Sequence, residues 1–434
     1  MSELTRTIED EPAHVRGSRP NDHDHTGVVT ASGVVGSVLH RTDGRAPWRA
    51  AAIRGSNRSP RRRIALVGTY PPTCCGLATF TNNLRAAITS NGSDWETAVL
   101  RVLDDDEVEH APEVVGHWLT GDAASLRRAR ASLATFDAVL IQHEYGLFGG
   151  TDGEEIIDLV EGLHVPLVVV LHTALLRPSP HQRLIIDRLA RAATRLVVQS
   201  EVARQRILAA HGLSSERVTV IPHGATANFG EARGSAGHRP VVLTWGLLGP
   251  GKGIEHGIDA LARLDLRSPA PFYVVAGRTH PKVMAACGQD YRTALQKRAR
   301  SLGIADQVRF DDSYRDWDSL RALVRSADVV LLPYDSHDQV SSGVLVEAVA
   351  SGKPIVATRF PHAVELLSNG AGLLVGQGDT EAMAAALRRT LYEPGLAATM
   401  SAAARQAARP LLWPAVGKAY RHMADEVIRQ VAMS

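Results

Sequence analysis

The sequence predicts an α/β protein of two doubly wound domains, each a parallel sheet covered by helices on both faces. Three observations carry this. From residue 62 onward, short apolar runs alternate with amphipathic stretches, as a parallel sheet with crossover helices requires. The alternation stops once, over residues 224–239, where Gly, Ala, Ser, Asn and Arg follow without pattern, and then restarts. The 434 residues suffice for two such domains and their cores.

Residues 1–61 lack periodicity and are rich in Gly, Ser, Pro, Asp, His and Arg, which reads as a disordered tail. Arg54, Arg58, Arg61, Arg62 and Arg63 cluster at its end. A solvated charge run is the plain reading; a patch drawn to anionic lipid at the inner membrane is the sharper one. The first domain, 62–223, opens with a strand over 63–68 and a Gly/Pro-rich loop over 70–79 that leads to a helix over 79–90. A strand at 95–103, a helix at 125–135, a strand at 138–142, a helix at 154–163 and a strand at 167–171 follow. Helix 181–193, strand 195–199, helix 201–211 and strand 218–221 complete it.

After the linker 224–239, the second domain, 240–410, repeats the alternation. It reads strand 241–245, a glycine loop, helix 254–264, strand 272–276, helix 291–302, strand 308–310, helix 317–327 and strand 329–332. A helix carrying Glu347, strand 355–357, helix 363–368 and strand 372–375 come next. The chain after Thr380 is helical, with Trp413-Pro414 as a break, and 411–434 is set apart as a helical tail. Ligands of such sheets bind beyond the carboxyl ends of the strands, so two facing sheets place theirs in the cleft between them.

Composition excludes several classes. The net charge of +2 makes no global case for nucleic acid. The amino terminus has no apolar core of signal-peptide length, and the apolar run 165–176 is interrupted by His172 and too short to span a bilayer. Cys74, Cys75 and Cys287 form neither a metal spacing nor a disulfide framework, which fits a reducing cytoplasm. A vicinal Cys74–Cys75 disulfide is strained and disfavoured.

The most informative stretch is Gln339-Val-Ser-Ser-Gly-Val-Leu-Val-Glu347. Ser341, Ser342 and Gly343 open a helix whose first N–H groups stay free, a ready anion site. Glu347 then sits roughly 6–9 Å from that end at about 1.5 Å rise per residue, which is the span from a diphosphate to its ribose. In the glycine loop, Gly246-x4-Gly251-Lys252 approaches a phosphate-cradling NTPase loop, but the next residue is Gly253, which cannot ligate magnesium. What remains is a strand-to-helix turn with one lysine for a diphosphate, or a plain turn with a solvated lysine. In the first domain Gly68 to Gly76 repeats the device without a GxGxxG fingerprint, which argues against a nicotinamide oxidoreductase. Two strands end in histidine, at His143-Glu144 and His172, where ligands of doubly wound folds lie; a core or capped histidine is the alternative for each. Asp104-Asp105-Asp106 reads as a solvated acidic turn before a metal-binding DxD, and Arg188, Arg191 and Arg195 as a wet helical face.

In this order and spacing the motifs resemble the family 4 retaining glycosyltransferases, whose architecture, GT-B, sets two Rossmann-like domains face to face. The likeness spans about residues 62–423 and rests on Gly76, His172, Gly251-Lys252-Gly253, Ser342-Gly343, Glu347 and Ser351-Gly352-Lys353-Pro354. Gln142-His-Glu-Tyr-Gly146, Ala276-Gly-Arg-Thr-His-Pro281 and Pro333-Tyr334 look like a bacterial mannosyltransferase-like branch of polysaccharide biosynthesis. The resemblance implies roles. Lys252 neutralises the leaving diphosphate, and the amides of Ser342, Gly343 and Val344 hold its phosphates. Glu347 accepts from the ribose, the backbone at Tyr314-Arg315 borders the base, His172 lies beside the transferred sugar and Gly76 near the diphosphate. His143 and Glu144 then belong to the acceptor side. No metal and no cofactor are implied; the partners are a nucleotide sugar and a saccharide or lipid-linked acceptor. Two positions depart from the family pattern: Gln339 replaces the first of two glutamates eight residues apart, and Leu247 replaces the arginine that partners the lysine. The expectation is a retaining hexosyltransferase, mannose first, or else a weak or inactive nucleotide-sugar-binding relative that assists assembly.

Overall fold

The computed structural model describes residues 62–73, 75–90, 93–105, 111–230, 239–264, 270–313 and 315–433. The expectations for the tail 1–61, the Cys74–Cys75 pair, Asp106 and Tyr314 lie outside the described residues. The first sheet takes β1 (Arg62–Gly68), β2 (Trp95–Leu103), β3 (Val114–Leu119), β4 (Ala138–His143), β5 (Leu167–Leu171), β6 (Arg195–Val198) and β7 (Val218–Val220). They are ordered β3-β2-β1-β4-β5-β6-β7, all parallel. Its helices are α1 (Gly76–Thr89), α2 (Ala123–Leu133), α3 (Glu155–Glu161), α4 (Pro180–Ala192) and α5 (Glu201–His211).

The second sheet takes β8 (Val241–Trp245), β9 (Phe272–Ala276), β10 (Val308–Asp311), β11 (Val329–Leu332), β12 (Ile355–Thr358) and β13 (Gly372–Val375). Its order is β10-β9-β8-β11-β12-β13, again parallel, so both sheets reverse direction beside their first strand. The helices here are α6 (Ile254–Ala262), α7 (Pro281–Cys287), α8 (Asp290–Ser301), α9 (Trp317–Ser326), α10 (Gly343–Ala350), α11 (Pro361–Leu366), α12 (Thr380–Tyr392), α13 (Leu396–Ala408) and α14 (Trp413–Ala432).

The strands read as uninterrupted Val, Ile and Leu because both of their faces are buried. Leu167-Val-Val-Val-Leu171 is at most 2% exposed throughout. Helix starts follow local capping chemistry. Ser179 and Gln182 close a capping box on α4 with Pro180 at its first turn, and the Ser200 hydroxyl accepts from Ala203 N at 3.1 Å.

Three elements differ from the sequence expectation, one of them the short helix α7, which was not expected between β9 and α8. Residues 114–119 form the edge strand β3, a Val-Val-Gly-His-Trp-Leu run that lacks a clean apolar pattern. The segment 413–432 is not a separate tail. It packs Trp413, Val416, Tyr420, Met423 and Val427 on the first domain, against Phe80, Leu84 and Ile88 of α1. Arg421 donates to the Ala87 and Ile88 carbonyls at 2.9 and 3.0 Å, which finishes the carboxyl end of α1. The two helices touch so closely at Gly417 that an added Cβ would stand 2.5 Å from the Ala87 oxygen. The chain therefore crosses between domains twice, and the crossings are tied: Ala225 N donates to Leu411 O at 2.8 Å and Trp413 N to Ala225 O at 3.0 Å.

Candidate active site

The centre of the second domain's site is Tyr334, which follows β11. Its ring is buried, stacks on Phe360 at 5.0 Å and carries the Lys252 ammonium 4.3 Å above its centroid. Its hydroxyl meets the Ser342 side chain. One aromatic platform thus brings the glycine loop after β8 to the start of α10. Gly253 makes that loop fit. Its φ of +59° lies in the left-handed region, and a Cβ there would stand 1.9 Å from the Pro333 oxygen. Burial pushes the Lys252 pKa down, so the ammonium is poorly solvated and poised for an anion.

At α10, Ser342 is the N-cap and its hydroxyl accepts from Leu345 N at 3.2 Å. The Ser342 N–H is spent on His362 Nδ1 at 2.9 Å. Of the three amides expected to hold phosphate, that of Ser342 is therefore taken, while those of Gly343 and Val344 head α10, where the first N–H groups have no partner within the helix. His223 Nε2 stands 3.0 Å from where a Gly343 Cβ would be, while its Nδ1–H donates to Gly224 O at 2.8 Å. Four residues further along, burial raises the Glu347 carboxyl to about 7. The Trp245 indole N–H donates to it at 3.4 Å.

Across the gap, His172 is the middle of a relay. Its Nε2–H donates to Gln142 Oε1 at 2.6 Å, and its Nδ1 accepts from Gln199 Nε2 at 3.1 Å. The Ser341 hydroxyl donates to Gln199 Oε1, joining the relay to the second domain. Burial holds the His172 pKa down at about 3, helped by His223 and His143, so the ring is neutral. With both nitrogens engaged, it is a positioning group in this arrangement rather than an acid or base. Gln339 turns its amide to Ser341 O. Gly76 begins α1, and a Cβ built on it meets nothing within 4 Å, so the space before it is open.

The expectation for His143 requires correction. The ring is fully buried, 5.2 Å from Tyr145 and 6.3 Å from Phe148, and faces away from the gap. Side chains alternate faces along a strand, so Gln142 takes the cleft side and His143 the core. Glu144 stays at the strand end, where it accepts from Thr173 Oγ1 at 2.8 Å. Arg195 likewise starts β6 and does not share the face of α4, while Arg188 pairs with Glu161 at 2.6 Å.

The domains meet through polar contacts that sequence reading did not find. The Ser200 hydroxyl donates to Val340 O at 2.7 Å. Arg206 donates to His337 O at 2.8 Å and pairs with Asp338 at 3.2 Å. The Glu365 carboxylate accepts from Glu201 N and Val202 N at 2.9 and 3.0 Å, so a side chain of one domain caps a helix of the other. Among the described residues Glu255, His256 and Asp335 bring three ligand-type atoms within 4.8 Å of one another, beside the glycine loop. No described helix is long and apolar enough to cross a membrane.

Comparison with known proteins matches these domains to two family models. "Glycosyltransferase Family 4" covers residues 76–229 and "Glycosyl transferases group 1" residues 227–407. The D-inositol 3-phosphate glycosyltransferase of Salinispora arenicola is 30% identical over 321 residues, 67% of this chain and 69% of that protein. The enzyme of the same name from Actinosynnema mirum is 32% identical over 254 residues, 54% of this chain but only 58% of its own length. Among solved structures, Anabaena Alr3699/HepE in complex with UDP superimposes with a TM-score of 0.66 at 18% identity, over 84% of this chain and all of that one.

Proposed function

The chain belongs to the family 4 glycosyltransferases, of GT-B architecture, and from that premise we propose that it moves a hexose from a nucleoside diphosphate sugar to a saccharide or lipid-linked acceptor hydroxyl, with retention at the anomeric carbon. The observation that carries the reading is the grouping of Lys252, the open end of α10 and Glu347 around Tyr334. A diphosphate at the Gly343 and Val344 amides faces the Lys252 ammonium, and its ribose reaches Glu347. As the glycosidic bond breaks, charge grows on the departing diphosphate, and prearranged N–H dipoles and the ammonium lower that barrier. Attack from the same face, with a diphosphate oxygen taking the acceptor proton, preserves configuration without a protein nucleophile. His172 orients Gln142 and Gln199 beside the sugar. No metal is required in this scheme, because Lys252 and the helix end supply the positive field.

The UDP held by the Anabaena neighbour makes uridine the first base to test, and the name shared by the relatives puts inositol phosphate among the first acceptors. Mannose remains the first hexose to compare with glucose. Gln339 favours a second reading: its amide is spent on its own loop, as in a protein that binds a nucleotide sugar without turning it over. Incubation with UDP- and GDP-hexoses decides. Release of nucleoside diphosphate only when acceptor is present supports transfer. Calorimetric binding with no product from any acceptor supports the second reading, and neither binding nor transfer refutes both.

A further inference from the structure

We propose that Arg101 and Thr73 form a phosphate subsite beneath the loop that opens α1, and that a phosphate group of the acceptor fills it. The inference rests on the transferase reading and adds the place on the first domain where an acceptor's phosphate would be held. Arg101 lies on β2, in register with Gly68 of β1 and His117 of β3, at the carboxyl edge where this sheet type binds ligands. It is 5% exposed. Its Nη2 donates to Thr73 Oγ1 at 3.1 Å, while Nε and Nη1 are buried and have no partner. Buried Arg292 and the half-buried Arg130, Arg195 and Arg217 each have only one buried nitrogen, Nε, without a partner.

A buried guanidinium that keeps its charge needs an anion. Among the described residues, Glu113, whose carbonyl accepts from Val99 N two residues before Arg101, is already engaged: its carboxylate accepts from the Tyr70 hydroxyl and pairs with Arg85 at 3.5 Å. The same loop carries a second source of positive field. Cys75 N donates to Thr73 O at 3.0 Å, and the Cys75 sulfur, a weak acceptor, meets Ala78 N at 3.3 Å. The start of α1 is therefore poorly neutralised just above Arg101.

Position separates this anion from the donor's. Along the sheet, β2 is three strands from β5, which leads to His172, or roughly 14 Å at about 4.8 Å per strand. The donor diphosphate belongs at α10, within a few bonds of the reacting carbon. A phosphate at Arg101 is thus carried by the other substrate, as a monoester or diphosphate several bonds from the attacking hydroxyl. Its entry requires Thr73 to move aside, because the unpaired nitrogens are covered.

The test uses the full chain, first alone and then with saturating UDP, in thermal melts with inorganic phosphate or glycerol 3-phosphate against chloride of equal ionic strength. Both phosphates should raise the melting temperature further when UDP is already bound. Arg101→Met should lower their affinity at least about tenfold, the scale of a hydrogen bond to a charged group. It should keep the UDP shift and, ligand-free, melt no lower than wild type, because an uncompensated charge has gone. Thr73→Val should weaken phosphate less. Several results overturn the proposal: no phosphate shift in wild type, equal shifts in wild type and Arg101→Met, loss of the phosphate shift once UDP is bound, or binding of inorganic phosphate but not the monoester. An Arg101→Met protein that melts lower and has lost both shifts makes the residue structural and also overturns it. Failure of UDP alone to shift wild type counts instead against the transferase reading, and the phosphate comparison still judges the subsite.

Discussion

Glu347 offers the sharpest test, because its environment is inconsistent with a resting charge. Its one hydrogen bond among the described residues is the long Trp245 contact, and burial raises its carboxyl from 4.5 to about 7. The ionised carboxylate accepts from both ribose hydroxyls and more strongly than the acid, which has a proton of its own to place, so nucleotide binding should favour the ionised form, expel a proton and tighten as pH rises. With a pKa of about 7 the carboxylate is about 3% ionised at pH 5.5 and about 97% at pH 8.5, so UDP affinity should rise by up to about 30-fold between them. The diphosphate itself titrates near pH 6, which Glu347→Gln controls for. The variant keeps the diphosphate's own titration and should lose only the remainder. Calorimetry in buffers of different ionisation enthalpy reads affinity and proton release together. Stability should move the other way. Between about 4.5 and 7 the folded state holds more protons than the unfolded, so ligand-free stability falls through that window and is level above it. The fall is at most about 3 kcal/mol, and Glu347→Gln should therefore melt above wild type at pH 8. Parallel affinity curves for the two proteins, or an unchanged UDP affinity in the variant, would refute the placement of the ribose at Glu347.

Lys252→Ala should lower turnover about 10²–10³-fold, the scale of losing one prearranged stabiliser of developing charge. Steady-state rates near wild type would contradict its role. Gly253→Ala should cost at least about 2 kcal/mol from left-handed strain and the clash with Pro333 O, seen as an earlier melt. An unchanged melt would mean the glycine loop is not built as described. Glu365→Ala removes the acceptor of two helix N–H groups across the domain contact and should shift closure toward the open form about tenfold, as about 1–1.5 kcal/mol implies. Small-angle scattering with and without UDP checks this, and identical compaction in variant and wild type would count against the latch.

Much of the architecture was legible because parallel strands buried on both faces must be runs such as Leu66-Val67 and Val168-Val169-Val170. β3 was not, since an edge strand containing Gly116 and His117 carries little periodicity. Strand ends pointed to the right rim of the sheet, yet the rule fixes a position along the strand and not the face. That is why Gln142 and not His143 meets His172. Gln199 stands at the end of β6 as His172 does after β5, and the same reasoning would have found it. His223, His362 and Glu365 were invisible because their importance comes from contacts over long separations, such as Glu201 to Glu365, which no local pattern encodes. The attachment of α14 to the first domain was hidden for the same reason.

That attachment bears on how the protein is made. The apolar side of α1, with Phe80, Leu84 and Ile88, is covered by a helix made only after the whole second domain. At about 5–20 residues per second, the roughly 190 residues between the two halves of this lobe take about 10–40 s to synthesise. For that interval the nascent first lobe presents an uncovered greasy surface while its neighbour is still being translated. The first lobe therefore completes its own core only after its neighbour has been made.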